Sequence, residues 1–157
     1  MRPLNAFDRW SQPPIPASRL ARLAVLAYIF LPLDMLFANR WIALHGEVPA
    51  RLYQPVMVAR LFHLPTPTTA WVNLIQVVTV SAAIISFAGV LNARRIPSAI
   101  ERTARALVPL GYLWWMFIAM SYGKVDHDRI GYLTLLIVLA CVGELDTTNH
   151  TPSRAVG

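Results

Sequence analysis

The sequence has few charged residues, one cysteine and one lysine. Charged side chains make up 14% of the 157 residues and hydrophobic ones 56%, whereas soluble domains carry about 25% charged residues. This balance excludes an ordinary water-soluble domain and indicates an integral membrane protein. The single cysteine, Cys141, excludes an intrachain disulfide and a C-x-x-C motif, which argues against a thiol-relay enzyme. The single lysine, Lys124, stands against 13 arginines.

The positive charge is distributed around the apolar runs. The formal net charge is +6, but the arginines flank apolar segments and do not form a stripe with interleaved aromatic residues. This placement favours a role in membrane topology and contact with anionic lipids over nucleic-acid binding. We therefore predict membrane lipids as partners and no nucleic acid.

Four apolar runs predict an all-α polytopic membrane protein, a bundle of four transmembrane helices. The expected spans are residues 20–38, 70–91, about 106–122 and about 130–143. The fourth run is short, but it can still cross the bilayer if its helix begins near Asp126 and the charged side chains at its ends extend to the interface. Pro32 predicts a kink in the first span. Residues 1–19 are expected to form an N-terminal cytoplasmic segment, residues 20–146 the transmembrane domain and residues 147–157 a cytoplasmic tail.

The connections between the spans fix the expected orientation. In the first connection, Leu52, Val56, Ala59 and Phe62 recur at helical spacing, which predicts a short amphipathic surface helix within residues 50–64. Residues 92–105 are expected to form a loop between the second and third spans. Nine arginines fall on the side of the termini and five basic residues on the other, so the positive-inside rule places both termini in the cytoplasm. We expect a bacterial plasma (inner) membrane protein.

Asp34 is the most unusual residue within a predicted span. An ionisable group there costs about 2.5–3.5 kcal/mol on insertion scales and is expected to have a partner. Lys124, Arg129 or Arg60 would supply the opposite charge, and the pair would be either structural or part of a pocket. The predicted topology brings other polar residues to the same outer face. The candidate binding-pocket residues are Asp34, Asn73, Gln76, Lys124, Asp126, His127, Asp128 and Arg129.

The segment "SYGKVDHDRIGY", residues 121–132, has two interpretations. It is either a turn, with Gly123 at the reversal and Asp126 as helix N-cap, or a site in which His127 and Lys124 transfer protons. Those two residues are the catalytic candidates.

The spacing of the histidines gives little support for a metal or haem site. A metal site could use His45, His63 and His127, but these show no ligand spacing, so no metal is predicted. A haem is disfavoured because no histidine lies mid-span. Trp114, Trp115 and Met116 would line a quinone or lipid pocket or simply pack.

Two motifs resemble a known group of membrane proteins. "FDRWSQPPIPASRLARLAVLAYIFLPLD" and "GKVDHDR" are similar to segments of small bacterial DoxX-like and HTTM-like proteins. The resemblance implies a compact four-helix bundle that serves as a membrane partner in quinone-coupled or thiol-related redox complexes. The chain lacks the cysteine pair of thiol-linked members and the large extramembrane domain of carboxylase-like ones. Only residues 123–129 correspond to a shared polar site.

These observations lead to two functional hypotheses. The first is an accessory or anchoring subunit of a membrane complex, with a polar outer-face pocket for a quinone, a lipid headgroup or a partner. Its partners would be other membrane or membrane-associated subunits. The alternative is a DoxX/HTTM-type membrane enzyme that uses Lys124 and His127 for proton transfer. A small transporter is disfavoured because the chain has no paired broken-helix pattern.

Overall fold

The computed structural model describes residues 17–92, 96–123 and 129–142, and within these ranges all regular structure is helical. The helices are α1 (Ala17–Leu33), α2 (Met57–Leu61), α3 (Thr69–Leu91), α4 (Ser98–Ser121) and α5 (Ile130–Cys141). A π-helical turn, Asp34–Ala38, continues α1, and two 3-10 helices, Arg40–Glu47 and Ala50–Leu52, follow it. The predicted all-α class is confirmed.

Three of the helical segments are long and apolar enough to cross a membrane. They are Ser18–Ala38, Thr69–Leu91 and Ser98–Ser121, with 21, 23 and 24 residues. At 1.5 Å per residue each is about 30 Å or longer, the thickness of a hydrocarbon core. The fourth helix, α5, is also apolar but has 12 residues, a length of about 18 Å. Asp126, where the sequence predicts its start, lies outside the described residues.

Helix α4 begins earlier than the sequence predicts. Residues 98–105, expected to lie in a loop, form its first two turns after Pro97. The prediction was wrong because Glu101 and Arg105 were taken as loop residues. They form an i, i+4 ion pair (3.5 Å between Oε1 and Nε) that is buried in the bundle. Gly89 of α3 makes room for this pair, since a Cβ there would lie 2.7 Å from Glu101 Cγ.

The predicted amphipathic helix in the first connection is broken into two short pieces. Residues 53–56 between them are extended, because Pro55 has no N–H to donate and disfavours helical geometry at the residue before it. The extended stretch is tied to the end of α4, where Gln54 N donates to Ser121 O (2.9 Å). Of the four residues expected to form the apolar face, Ala59 is buried, Val56 is half-buried, and Leu52 and Phe62 are exposed.

Helix α3 packs against both α1 and α4, and α5 packs mainly on α4. Small residues permit these close approaches: Ala21, Ala24 and Ala27 lie on the buried face of α1. At the α3–α4 contact, a Cβ on Gly111 would lie only 2.0 Å from Thr79 Oγ1. Such small-residue contacts are typical of helix pairs that associate in lipid. The bundle end formed by residues 39–68 and the C-terminus of α4 is called the connection end below.

Candidate functional site

The polar groups at the connection end are organised around the π-helical turn that follows Pro32. Proline has no N–H, so the helical hydrogen-bond pattern is interrupted here. It resumes with the wider π spacing, in which Asn39 N donates to Asp34 O (2.7 Å). Gln76 of α3 donates from Nε2 to Met35 O (3.0 Å) and so satisfies a carbonyl of this turn. Single π turns of this kind are frequent at functional sites.

The Asp34 carboxylate is 2% exposed, and both of its oxygens accept hydrogen bonds. Oδ1 accepts from Asn39 Nδ2 (2.7 Å), and Oδ2 accepts from Tyr112 Oη (3.1 Å) and Arg129 Nη1 (2.5 Å). Arg129 Nη1 also donates to Tyr112 Oη (3.1 Å). The network therefore joins the end of α1, the middle of α4 and the N-cap of α5.

Of the three cations that the sequence offers to Asp34, the structure pairs it with Arg129. Arg60 is exposed and donates from Nε to Pro55 O (2.8 Å) instead. Lys124 lies outside the described residues. A buried carboxylate with every oxygen engaged is suited to positioning helices rather than to binding a further ligand.

A tyrosine supports the network from α5. Tyr132 Oη donates to Ala27 O (2.7 Å), and its ring meets that of Tyr112 edge-on, with centroids 5.2 Å apart. The Phe30 ring also meets the Tyr132 ring edge-on, with centroids 5.1 Å apart. Edge-to-face contacts of this kind stabilise aromatic pairs beyond their buried area, so the position of Tyr112 is fixed from several directions.

A separate cavity of about 480 Å³ lies between the first connection and the end of α4. Its described lining consists of His45, Val48, Leu52, Gln54, Ser121, Tyr122 and Gly123. The His45 ring lies 4.5 Å from that of Tyr122 and 5.2 Å from that of Trp41. The Tyr53 ring lies 5.7 Å from that of Tyr122. The cavity is therefore a mixed polar and aromatic space.

Two residues of the cavity lining, His45 and Tyr122, have side chains that form hydrogen bonds. His45 Nδ1 lies 3.3 Å from Trp41 O, and a carbonyl only accepts, so Nδ1 is the donor in this contact. Burial, with a smaller effect from Tyr53, raises the pKa of the Tyr122 hydroxyl, which therefore stays a protonated donor at neutral pH. Within the described ranges that hydroxyl is buried and has no hydrogen-bond partner, which is costly for a polar group.

The cavity wall and the Asp34 network are connected through two residues. Trp41 Nε1 donates to Asn39 Oδ1 (3.2 Å), and Asn39 in turn donates to Asp34. Trp41 thus contacts His45 on the cavity side and Asn39 on the network side. Three successive contacts therefore separate Asp34 from His45 in the cavity lining.

The remaining predicted site residues are only partly brought together. Asn73 is exposed on α3, and His63 is exposed with a left-handed backbone (φ 50°) after α2. In the part of the chain that the structure describes, no three His, Cys, Asp or Glu residues are grouped as metal ligands. Four predicted residues lie outside that part: Lys124, Asp126, His127 and Asp128. Proton transfer by Lys124 and His127, and a metal set that includes His127, therefore stay predictions.

The three large residues at the middle of α4 have two different environments: Trp115 and Met116 pack in the core, and Trp114 lines a groove. Trp115 is fully buried and Met116 nearly so, which makes them core residues. Trp114 is half-buried and lines an apolar groove on the α3–α4 face, where its ring meets that of Trp71 edge-on at 5.5 Å.

Sequence reasoning missed two members of the Asp34 network and a second buried ion pair. Tyr112 was read only as part of an apolar span, and Asn39 as the start of a connection. The missed pair is Glu101–Arg105, in which Arg105 Nη1 also donates to Val142 O (3.1 Å) at the end of α5. The i, i+4 spacing of Glu101 and Arg105 was the available signal for this pair.

Comparison with known proteins gives no match: no family model, no curated protein and no solved structure matches this chain. The comparisons therefore identify no DoxX-like or HTTM-like family. Function has to be argued from the geometry of the connection end.

Proposed function

We propose that the chain is a multi-pass protein of a bacterial plasma membrane, with four spans and both termini in the cytoplasm. Three helices of sufficient length and apolar character support the membrane location. The arginine distribution supports the orientation, which makes the connection end the outer face. The fourth span is assigned to α5 together with its flanking residues, since α5 alone is about 18 Å long.

Within that membrane the protein acts as an accessory subunit that holds the neutral polar headgroup of a membrane-soluble ligand at its outer face. The observation that carries this proposal is the cavity between His45, Gln54, Ser121 and Tyr122. It lies at one end of three long apolar helices, the depth at which the headgroup of an amphiphile resides. The Asp34–Arg129 pair has the supporting role of holding the wall of that cavity in place.

The described lining of the cavity favours an uncharged ring as the headgroup. It contains no arginine, lysine or carboxylate, so a phosphate would find no cationic partner among these residues. The second ring nitrogen of His45 and the buried, unpartnered hydroxyl of Tyr122 are the groups that would form hydrogen bonds with such a ring. The adjacent rings of His45 and Tyr122 provide flat contact surfaces. A quinone or quinol headgroup has this combination of carbonyl or hydroxyl groups on a flat neutral ring.

The test uses the purified protein in lipid nanodiscs and a benzoquinone headgroup analogue that has no tail. Binding is followed by quenching of tryptophan fluorescence, because Trp41 contacts the cavity residue His45. Tyr122→Phe removes one hydrogen bond and should weaken binding about three- to tenfold. The matched control is Tyr53→Phe, which alters a neighbouring tyrosine outside the lining and should leave binding unchanged.

Two results would contradict the proposal. One is the absence of saturable quenching in the wild-type protein. The other is an equal effect of Tyr122→Phe and Tyr53→Phe on the dissociation constant. The accessory role is checked separately by mild-detergent purification from native membranes followed by mass spectrometry, in which we expect a stoichiometric membrane subunit and an extractable neutral amphiphile. Recovery of the chain alone, with neither, would count against that role.

A further inference from the structure

An apolar groove runs along the seam between α3 and α4. Its first part, about 480 Å³, lies between residues such as Ser81 of α3 and Thr103 of α4. Its second part, about 310 Å³, continues to Trp71 and Trp114. The two parts share Val78 and Leu107 in their linings, so they are adjacent along the seam and are together called the α3–α4 groove. From Ile100 to Trp114 along α4, at 1.5 Å per residue, the groove is about 21 Å long.

The groove and the outer cavity are both lined by residues of α4. Ile100, Leu107, Trp114 and Ser121 are spaced seven residues apart, and in a straight helix successive members of such a series lie within about 20° of one another. The first three line the groove and the fourth lines the cavity. The distance from Trp114 to Ser121 along the helix axis is about 10 Å, or two turns. The cavity is therefore lined by the same helix as the groove, about two turns beyond the groove's outer end.

We propose that the ligand whose headgroup occupies the cavity extends its hydrocarbon tail along this groove. The inference rests on the proposed function and specifies its ligand class, which is a neutral-ring amphiphile with a long tail. The groove runs along the helix axes, as a lipid-soluble chain in a bilayer does, and its lining is almost entirely apolar. The chain leaves the cavity at Ser121, passes along two turns of α4 and enters the groove beside Trp71 and Trp114.

A second apolar groove on the bundle provides the comparison that favours this path. It lies between α1 and α5, has a volume of about 430 Å³ and is lined by residues that include Leu26, Phe30 and Leu135. Its lining shares no helix with the lining of the outer cavity, whereas the α3–α4 groove shares α4 with it. A single ligand can therefore connect the cavity to the α3–α4 groove along one helix.

The experiment compares tail dependence in variants that fill one groove or the other. Ser81→Phe and Thr103→Phe place a ring in the α3–α4 groove at exposed positions, so neither disturbs the core. Leu26→Phe introduces a ring in the α1–α5 groove, where Leu26 is 65% exposed, and serves as the matched control. Each protein in nanodiscs of one lipid composition is titrated with the benzoquinone analogue without a tail and with the same ring carrying a decyl tail.

The measured quantity is the dissociation constant of the tail-less analogue divided by that of the decyl analogue. Partition of the decyl tail into lipid affects this ratio equally in every variant. In the wild type we expect the decyl analogue to bind about tenfold more tightly after correction for partition, the scale of the dispersion contacts that the tail gains. Ser81→Phe and Thr103→Phe should reduce this ratio to near one without altering binding of the tail-less ring. Leu26→Phe should retain the full ratio.

Each alternative result has a defined meaning. If the ratio were equal in Ser81→Phe, Thr103→Phe and Leu26→Phe, the tail assignment would be wrong. The proposal that the headgroup binds in the cavity would not be affected. Loss of tail-less binding in the wild type would overturn the cavity itself, and the tail assignment with it. If Ser81→Phe changed the oligomeric state in cross-linking but not the ratio, the groove would be a helix-packing surface for a second copy, and the proposal would be wrong.

Discussion

Substitution of Asp34 by asparagine should destabilise the fold more than its small change in shape suggests. The amide keeps the size of the side chain but removes its charge. One of its two terminal atoms becomes an NH₂ donor, and this donor must face either Asn39 or the pair of donors from Tyr112 and Arg129. If it takes the Oδ2 position, Tyr112 and Arg129 face an NH₂ group that cannot accept a hydrogen bond from either of them.

The magnitude follows from burial. Removing one partner of a buried ion pair costs about 3–5 kcal/mol. The Arg129 side chain is 22% exposed, so it can reach water after the substitution, and we expect a loss of about 2–3 kcal/mol for Asp34→Asn. Arg129→Met leaves the carboxylate, which is 2% exposed, without this cation, and we expect a loss at the upper end of the range, about 3–5 kcal/mol.

The two residues should therefore be strongly coupled. The double variant Asp34→Asn with Arg129→Met leaves no isolated charge, and we expect it to be less destabilised than the sum of the single variants by about 2 kcal/mol. The free energy of unfolding is measured by SDS titration in mixed micelles with far-UV circular dichroism. Arg60→Met is the matched control, since Arg60 is an exposed arginine of the same connection end, and we expect a change within about 0.5 kcal/mol.

The reasoning would be refuted by additive single variants, because additivity would mean that Asp34 and Arg129 do not depend on each other. It would also be refuted if the free energy of unfolding of Asp34→Asn lay within about 0.5 kcal/mol of the wild-type value. A loss for Arg60→Met as large as that for Arg129→Met would show that the assay responds to net charge rather than to the buried pair.

Two further predictions use the same unfolding measurement. Gly111→Ala should lower the free energy of unfolding by about 1–3 kcal/mol, because its Cβ would overlap Thr79 Oγ1. Adding Thr79→Ala should recover part of that loss. If nothing is recovered, another contact is responsible. Tyr112→Phe should cost about 1.5–3 kcal/mol because its hydroxyl bonds to charged groups, whereas Tyr132→Phe removes one bond to Ala27 O and should cost about 1 kcal/mol. The reverse order would contradict the assigned network.

Hydropathy was sufficient to predict the long helices but not the start of α4. The predicted span at residues 70–91 differs by one residue from the observed Thr69–Leu91, because a long uncharged run has few alternatives. For α4, Glu101 and Arg105 interrupt the apolar pattern, and a hydropathy reading treats charged residues as solvated. Their mutual pairing and the room left by Gly89 allow them to be buried, and both depend on tertiary contacts that a single sequence does not display.

The sequence was sufficient to predict the charged residues of the candidate site but not its neutral residues. The cost of an unpaired Asp34 in a span predicted a cation, and Arg129 was one of three considered. Tyr112 and Asn39 carry no such cost, so nothing in the sequence distinguishes them from ordinary span and connection residues. The cavity depended on the first connection, where helical spacing around Pro55 suggested one helix, whereas the chain instead pairs an extended stretch with Ser121.

The placement of α5 explains why the buried charged residues hold helices together rather than bind a ligand. In lipid, apolar burial does not drive helices together, so packing and polar contacts must fix their positions. Helix α5 has 12 residues and is held at both ends by arginines: Arg129 at its N-cap bonds to Asp34, and Arg105 of α4 bonds to Val142 O at its C-cap. Because the Asp34 oxygens are already engaged in this role, our proposal places the ligand in the His45–Tyr122 cavity rather than at Asp34.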